Sequence, residues 1–245
     1  MLPISIGIVA WKSDETLDET LKTYVENDFF KLISDSAILF QEVTEKDRLL
    51  AKKYGLRFIG LDDNVGIGRA MQILAEQSLS ENFLFLEQDW QIVEDYNTTK
   101  RRLIASIDLL EDDYKCVRLR SRKNPGHPVY SMVYKDNELN HYDENTGLIS
   151  PHLFDCVHWI NEPNYNFPDQ ISKHKYHYTT TSRWSNWTNN PCLFKKDFLL
   201  EVISPFVSDK LLEPTMSKWW AEQNYPVAWG EGLFKHVDFK KWSDE

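Results

Sequence analysis

From Leu2 to Glu87 the chain alternates strand-like and helix-like segments without a break, and no other feature limits its possible folds as tightly. Leu2 to Trp11 is an apolar, β-branched run of strand character. Thr16 to Ile33 then carries Leu17, Leu21, Tyr24, Val25, Phe29 and Leu32 at helical spacing, and Thr16 with Glu19 fits a capping box. Ala37 to Val43 predicts a second strand, Glu45 to Tyr54 a helix stopped by Gly55, and Leu56 to Leu61 a third strand. Next comes a helix in which Ile67, Met71, Leu74 and Ala75 repeat, with Asn64 as its expected N-cap, and then a strand ending at Glu87. Strands that alternate with helices pair in parallel, since a parallel neighbour is reached only through a crossover, and the helices then cover the sheet faces. The expected class is α/β, with a mostly parallel Rossmann-like central sheet flanked by helices. With 245 residues and no evident linker, the chain reads as one domain over 1–245.

Sheets of this kind bind ligands at the carboxyl ends of their strands. The run Phe83-Leu84-Phe85-Leu86-Glu87-Gln88-Asp89-Trp90 ends an apolar strand there with two carboxylates. In extended chain Glu87 and Asp89 face the same way, about 7 Å apart at their Cα atoms for roughly 3.3 Å of rise per residue. Mg2+ and Mn2+ prefer oxygen ligands and take one or two carboxylates plus substrate phosphates, so a phosphate-bearing substrate is the inference. The plainer reading is that acidic residues follow a buried strand because the chain has reached solvent.

Other classes fit less well. A net charge of -10 disfavours nonspecific nucleic-acid binding, which draws its affinity from Lys and Arg. The apolar runs are strand-sized, short of the roughly 20 residues of a membrane span, and the amino terminus lacks a signal core, so a cytoplasmic protein is expected. Cys116, Cys156 and Cys192 are widely spaced without a CxxC pair, as reduced packing residues would be. Asn64-Val65-Gly66-Ile67-Gly68-Arg69-Ala70-Met71 has Met71 where a dinucleotide fingerprint needs its third glycine, and no GxxxxGK[ST] loop occurs. Free backbone N–H groups near Val65 to Gly68 would still suit an anion, or the glycines serve only a tight turn.

Taken together, Ile4 to Ala10, Ile38 to Glu42, Asp63-Asn64-Val65-Gly66 and Phe83 to Asp89 make the first half resemble a nucleotide-diphosphate-sugar glycosyltransferase of the GT-A fold, family 2 in particular. The resemblance implies a donor half over 1–95 and an acceptor half over 96–245. It places the donor base and ribose near Ala10, Trp11 and Glu42, and extends the donor set to Asn64, Arg69, Glu87 and Gln88. Asp89 stands where the last aspartate of the DxD motif meets a metal-bound diphosphate. The implied cofactor is Mn2+ or Mg2+, the donor a nucleotide sugar such as a UDP-sugar, and the acceptor a hydroxyl of a glycan or similar molecule. Glu42 and Glu87 stand where the family has aspartates, which keeps the charge and lengthens the arm.

Seven of the nine tryptophans lie from Trp159 onward, and flat aromatic faces can stack on pyranose rings, although tryptophan is as often core payload. Trp187, Asn189 and Trp220 are the expected acceptor contacts. Ser185 to Lys196 is similar to the family's acceptor-side turn, and Glu213, just before Pro214 at a predicted helix start, is similar to its catalytic carboxylate, with Asp169 and Asp155 as reserves. A helix dipole favours an acidic residue there regardless of function. His236, within Trp229 to Asp238, resembles the histidine that reaches back toward the metal. His174 and His177 are poor metal candidates because an i, i+3 pair in extended chain points to opposite faces. Arg118, Arg120 and Arg122 alternate along a predicted strand, as solvated edge charge or as contacts to an anion. The implied reaction is an inverting displacement of diphosphate by an acceptor hydroxyl. The competing readings are a nucleotidyltransferase, disfavoured by the acidic, glycine-free Ala10 to Glu15, and a noncatalytic carbohydrate-binding module.

Overall fold

A computed structural model describes residues 1–126, 132–135, 138–141, 162–208 and 212–237. Strands β1 (Leu2–Trp11), β2 (Ile33–Gln41), β3 (Arg57–Gly60) and β4 (Asn82–Glu87) lie in the order β3-β2-β1-β4, all parallel. Helices α1 (Asp14–Glu26), α2 (Glu45–Tyr54) and α3 (Ile67–Glu76) connect them. The sheet continues through β11 (Cys192–Lys195), β6 (Cys116–Arg120), β12 (Pro226–His236), β10 (His177–Thr181) and β9 (Ser172–His174). Because β11 is antiparallel to both β4 and β6, and β12 is parallel to β6, the strands β1 to β4, β6 and β12 all end on one edge. The expected α/β class with a mainly parallel central sheet is what the chain forms.

The buried residues alternate between two faces. Ile4, Ile6, Ile8, Leu84 and Leu86 meet Leu17, Leu21 and Tyr24 of α1 and Leu103 of α4 (Tyr96–Glu111). Val9, Phe83 and Phe85 meet Met71 and Leu74 of α3, Leu199 of α6 (Lys196–Ile203) and Met216 and Trp220 of α7 (Leu212–Gln223). A central strand is apolar on both sides for this reason. The remaining elements are β5 (Trp90–Ile92), the hairpin β7 (Met132–Lys135) and β8 (Glu138–His141), and the single turn α5 (Pro163–Asn166).

Several boundaries differ from the sequence expectation. The helix expected over Thr16 to Ile33 ends at Glu26, a 3-10 turn takes Phe29–Lys31, and Ile33 already belongs to β2. Phe29 prolongs the apolar pattern because it enters the same core as Tyr24, with ring centroids 5.2 Å apart, and not because the helix continues. Ser13, not Thr16, precedes α1, and the capping box lies instead at Thr44 and Asp47 of α2. The cap of α3 is Gly66, at φ 80°, and Asn64 accepts from the Gly66 N–H at 2.9 Å as a turn residue before it. The helix Glu45–Tyr54 and its Gly55 stop, at φ 64°, match the reading. None of the described helices is long and apolar enough to cross a membrane.

Candidate active site

The common carboxyl edge gathers residues from β1, β2, β4, β6 and β12. At its centre β4 stops at Glu87, and Gln88 and Asp89 form a turn, so strand alternation is not what relates the two carboxylates. After the turn the chain leaves β4 and forms β5, which pairs antiparallel with β12 so that Trp90 sits opposite His236. That register brings the Asp89 backbone carbonyl to the Val237 N–H at 2.9 Å and the Asp89 Oδ2 to the His236 Nε2 at 3.1 Å. The Tyr24 hydroxyl donates to the Trp90 carbonyl at 2.5 Å and fixes the start of β5.

Asp89 is only 3 % exposed, and its Oδ1 has no hydrogen-bond partner among the described residues. Burial, reinforced by the negative charges of Asp89 and Glu213, holds the Glu87 carboxyl well above the usual carboxylate range. Cys192 lies opposite Phe85 in the antiparallel register of β11 with β4, so Asn189, three residues before it, stands near the acidic end of β4 and brings Glu213, which accepts its N–H, to the same place. Glu213 lies in the first turn of α7, which begins at Leu212 and not at Pro214, and its Oε1 accepts the Asn189 N–H at 2.6 Å. Leu212 itself packs beside Gly68 in the first turn of α3, so the two helix starts adjoin.

The Trp11 backbone N–H donates to the Gln88 Oε1 at 3.1 Å, a strut between β1 and the turn after β4. Lys12 and Glu42 follow the ends of β1 and β2, both with left-handed φ, 46° and 54°, and form an ion pair at 2.7 Å. Lys12 holds the Glu42 carboxyl below its ordinary value. Gln41, which the sequence reading did not single out, is buried and accepts the Val65 N–H at 2.9 Å, tying the end of β2 to the turn before α3. An amide inside an apolar strand was the available signal. Arg69 is exposed and donates to Gln72, and Ala10 is buried in the core at 1 % exposure.

Two sequence readings are corrected outright. Arg118 and Arg120 are not solvated edge charge: β6 is an interior strand and they are 3 % and 4 % exposed. Arg118 donates to the Asn186 carbonyl, and Arg120 donates to the Pro125 carbonyl at 3.0 Å with its guanidinium 5.1 Å from the Trp90 ring centre. Trp90 in turn lies 4.9 Å from the His236 ring, so a buried cation stands behind the Asp89–His236 pair. His174 and His177 flank the turn between β9 and β10 as a directly opposed cross-strand pair, which brings them to one face and not to opposite ones.

The acceptor-side tryptophans are core residues. Trp187 is 2 % exposed and stacks on Phe194, Trp220 is 1 % exposed, and neither offers a free face to a sugar. Their N–H groups are satisfied by Asn189 Oδ1 at 3.2 Å and the Ser185 carbonyl at 2.8 Å. Asn189 therefore braces Trp187 and Glu213 at once. Asp169 is exposed in the turn at 168–170. Ser172 pairs with Thr179 and Thr179 with Ala228, so the chain before β9 lies toward the opposite edge of the sheet from Glu87. Asp155, Trp159, Trp242 and Cys156 lie outside the described residues.

A divalent cation, the cofactor that the GT-A resemblance implies, can be tested against these groups. The buried Asp89 Oδ1 has an acceptor to spare, and His236 stands next to it. Among the described residues no group of three or more His, Cys, Asp or Glu side chains could hold a metal by itself. The remaining ligands would come from diphosphate oxygens and water, as Mg2+ and Mn2+ prefer, so the residues fit.

No protein-family model matches the chain, and no curated protein matches its sequence. Solved structures match its fold. Staphylococcus aureus TarS 1-349 in complex with UDP-GlcNAc is 13 % identical at a TM-score of 0.54, over 98 % of this chain and 59 % of that one. The longer S. aureus TarS structure is 15 % identical at 0.56, over 97 % and 37 %. The mannosyltransferase PcManGT from Pyrobaculum calidifontis, in complex with GDP-Man and Mn2+, is 9 % identical at 0.57, over 98 % and 58 %. The chain thus spans less than two thirds of each of these proteins, and at such identities the likeness establishes the fold alone.

Proposed function

We propose that the protein transfers a sugar from a nucleotide-diphosphate donor to an acceptor hydroxyl, with inversion at the anomeric carbon. The observation that carries the reading is the convergence of Glu87, Asp89 and Glu213 at the carboxyl edge, where Asn189 before β11 holds Glu213 beside the end of β4, in a fold shared with structures that hold UDP-GlcNAc or GDP-Man. Burial and the negative charges of Asp89 and Glu213 keep the Glu87 carboxyl toward its protonated form, a crowding of acidic groups that a bound divalent cation would relieve.

In this reading the nucleotide lies over the ends of β1 and β2, beside Trp11 and the Lys12–Glu42 pair. Asp89, with His236, would hold a Mn2+ or Mg2+ ion, and such an ion would supply positive charge to stabilise the departing diphosphate. Buried Arg120 adds a fixed positive charge behind that pair. Glu213 is the general base: its Oε1 is fixed by the Asn189 N–H, and its Oε2 takes the proton of the attacking hydroxyl as the C–O bond forms and the bond to the diphosphate breaks. Residues 1–95 bind the donor and 96–245 the acceptor, within one domain.

A positioned general base contributes roughly 10²- to 10⁴-fold. Glu213→Gln is expected to lose transfer by that factor while calorimetry shows donor binding within a few-fold of the original. A Gln variant that transfers at an undiminished rate would place the base elsewhere.

A further inference from the structure

A cavity of about 390 Å³ lies between α4, the β9–β10 turn and the Gly230–Gly232 segment of β12, and none of Glu87, Asp89 and Glu213 lines it. Its volume falls within the roughly 300–1,000 Å³ of small-molecule sites. The charged wall carries Arg101, Arg102 and Lys175 against Asp108, Asp112 and Glu231, so the formal charges cancel. Two of these are already engaged: Arg102 pairs with Glu94 at 2.7 Å and donates to the Gly232 carbonyl, and Glu231 lies 3.7 Å from Arg122 and 3.3 Å from Lys123. Arg101, Lys175, Asp108 and Asp112 make no ion pair with another described residue. Two donors and two acceptors therefore line the space with no ion-pair partner among the described residues.

The β9–β10 turn supplies the remaining chemistry. Lys175 adopts a left-handed φ of 53°, a strained state for a lysine, and Tyr176 stands at the tip of the turn with 86 % of its surface exposed. Burial, with the nearby charges of His174 and Arg102, keeps the His177 imidazole below its ordinary pKa and hence neutral at pH 7. A Cβ at position 230 would meet the His177 ring at 2.9 Å, so Gly230 makes room for it. A wall without net charge attracts neither a nucleotide nor a bare cation. Side chains that both donate and accept, beside an exposed aromatic face, match a ligand whose hydroxyls do both and whose ring has an apolar side.

We propose that this cavity is a carbohydrate site that binds a neutral saccharide unit, separate from the acidic edge. It shares one wall with that edge, since Gly232 accepts from Arg102 on one side and abuts the Arg120 carbonyl on the other. The site does not depend on the transfer reaction, and its test needs no turnover. Saturation-transfer NMR on the full chain, without nucleotide, is run with methyl β-glucoside, methyl β-galactoside, methyl α-mannoside, N-acetylglucosamine, maltose and chitobiose. At least one is expected to bind, with Tyr176→Ala and Asp108→Ala each weakening it tenfold or more and Asp89→Ala leaving it unchanged. Tyr176 and Asp108 are exposed, so both variants keep the fold. Binding by none of the six, or binding that survives Tyr176→Ala and Asp108→Ala but is lost in Asp89→Ala, overturns the proposal.

Discussion

Asp89 is buried with one carboxylate oxygen that has no hydrogen-bond partner among the described residues, and Glu87 beside it is pushed toward the protonated form. Both are costly in a folded chain unless a ligand answers them. The Glu87 shift has a testable consequence. The folded side chain keeps its proton over a range in which the unfolded one, with its ordinary value near 4.5, has already lost it. Folding takes up that proton, so this contribution is fully present below the unfolded value and fades as pH rises through the folded one. Glu87→Gln, which stays neutral throughout, is expected to be more stable than the original at neutral pH, with the difference vanishing toward acid. Urea denaturation at several pH values measures it, and a gap that widens toward acid contradicts the assignment. Residue types alone could point to Asp89 and Glu213 but not to Trp187 and Trp220 as core: a tryptophan in an amide-rich loop looks the same whether it faces a ligand or Phe194.

At the scale of elements, the edge is assembled by close backbone approaches. Gly126 and Gly232 adopt φ of 75° and 72°, and a Cβ on them would fall 1.7 Å from the His236 carbonyl oxygen and 1.9 Å from the Arg120 carbonyl oxygen. Gly232→Ala is therefore expected to cost more than about 1 kcal/mol of stability, since both the conformation and the space are wrong for a side chain. It should also weaken nucleotide binding, because the Arg120 backbone behind the Asp89–His236 pair is displaced; unchanged denaturation and binding would contradict this. Local elements were legible wherever local rules decide them. Glu45–Tyr54 has a stop glycine and a clear period, whereas α1 was overextended because Phe29 and Leu32 serve the core from a 3-10 turn and its flank. The alternation of Arg118, Arg120 and Arg122 gave the strand but not its place in the sheet, which long-range pairing with β11 and β12 determines.

For the whole molecule, the parallel half follows from its repeating pattern, because each crossover carries one helix, β1, β2 and β3 pair with their neighbours in sequence, and β4 returns to the free side of β1. The other half does not. β11 inserts between β4 and β6, and β12, almost the last described segment, lies between β6 and β10. No periodicity announces such pairings, yet they bring His236 to Asp89 and leave the cavity beside α4. The central proposal is that this assembled edge acts on a diphosphate-linked sugar. Its most direct test is release of nucleoside diphosphate from UDP-GlcNAc, GDP-Man and related donors with Mn2+, comparing the original protein with Asp89→Ala. The expected result is release by the original from at least one donor and a loss of roughly 10²-fold or more in a folded variant. A folded Asp89→Ala protein that releases nucleotide at the original rate, or an original protein inert toward every donor, would contradict it.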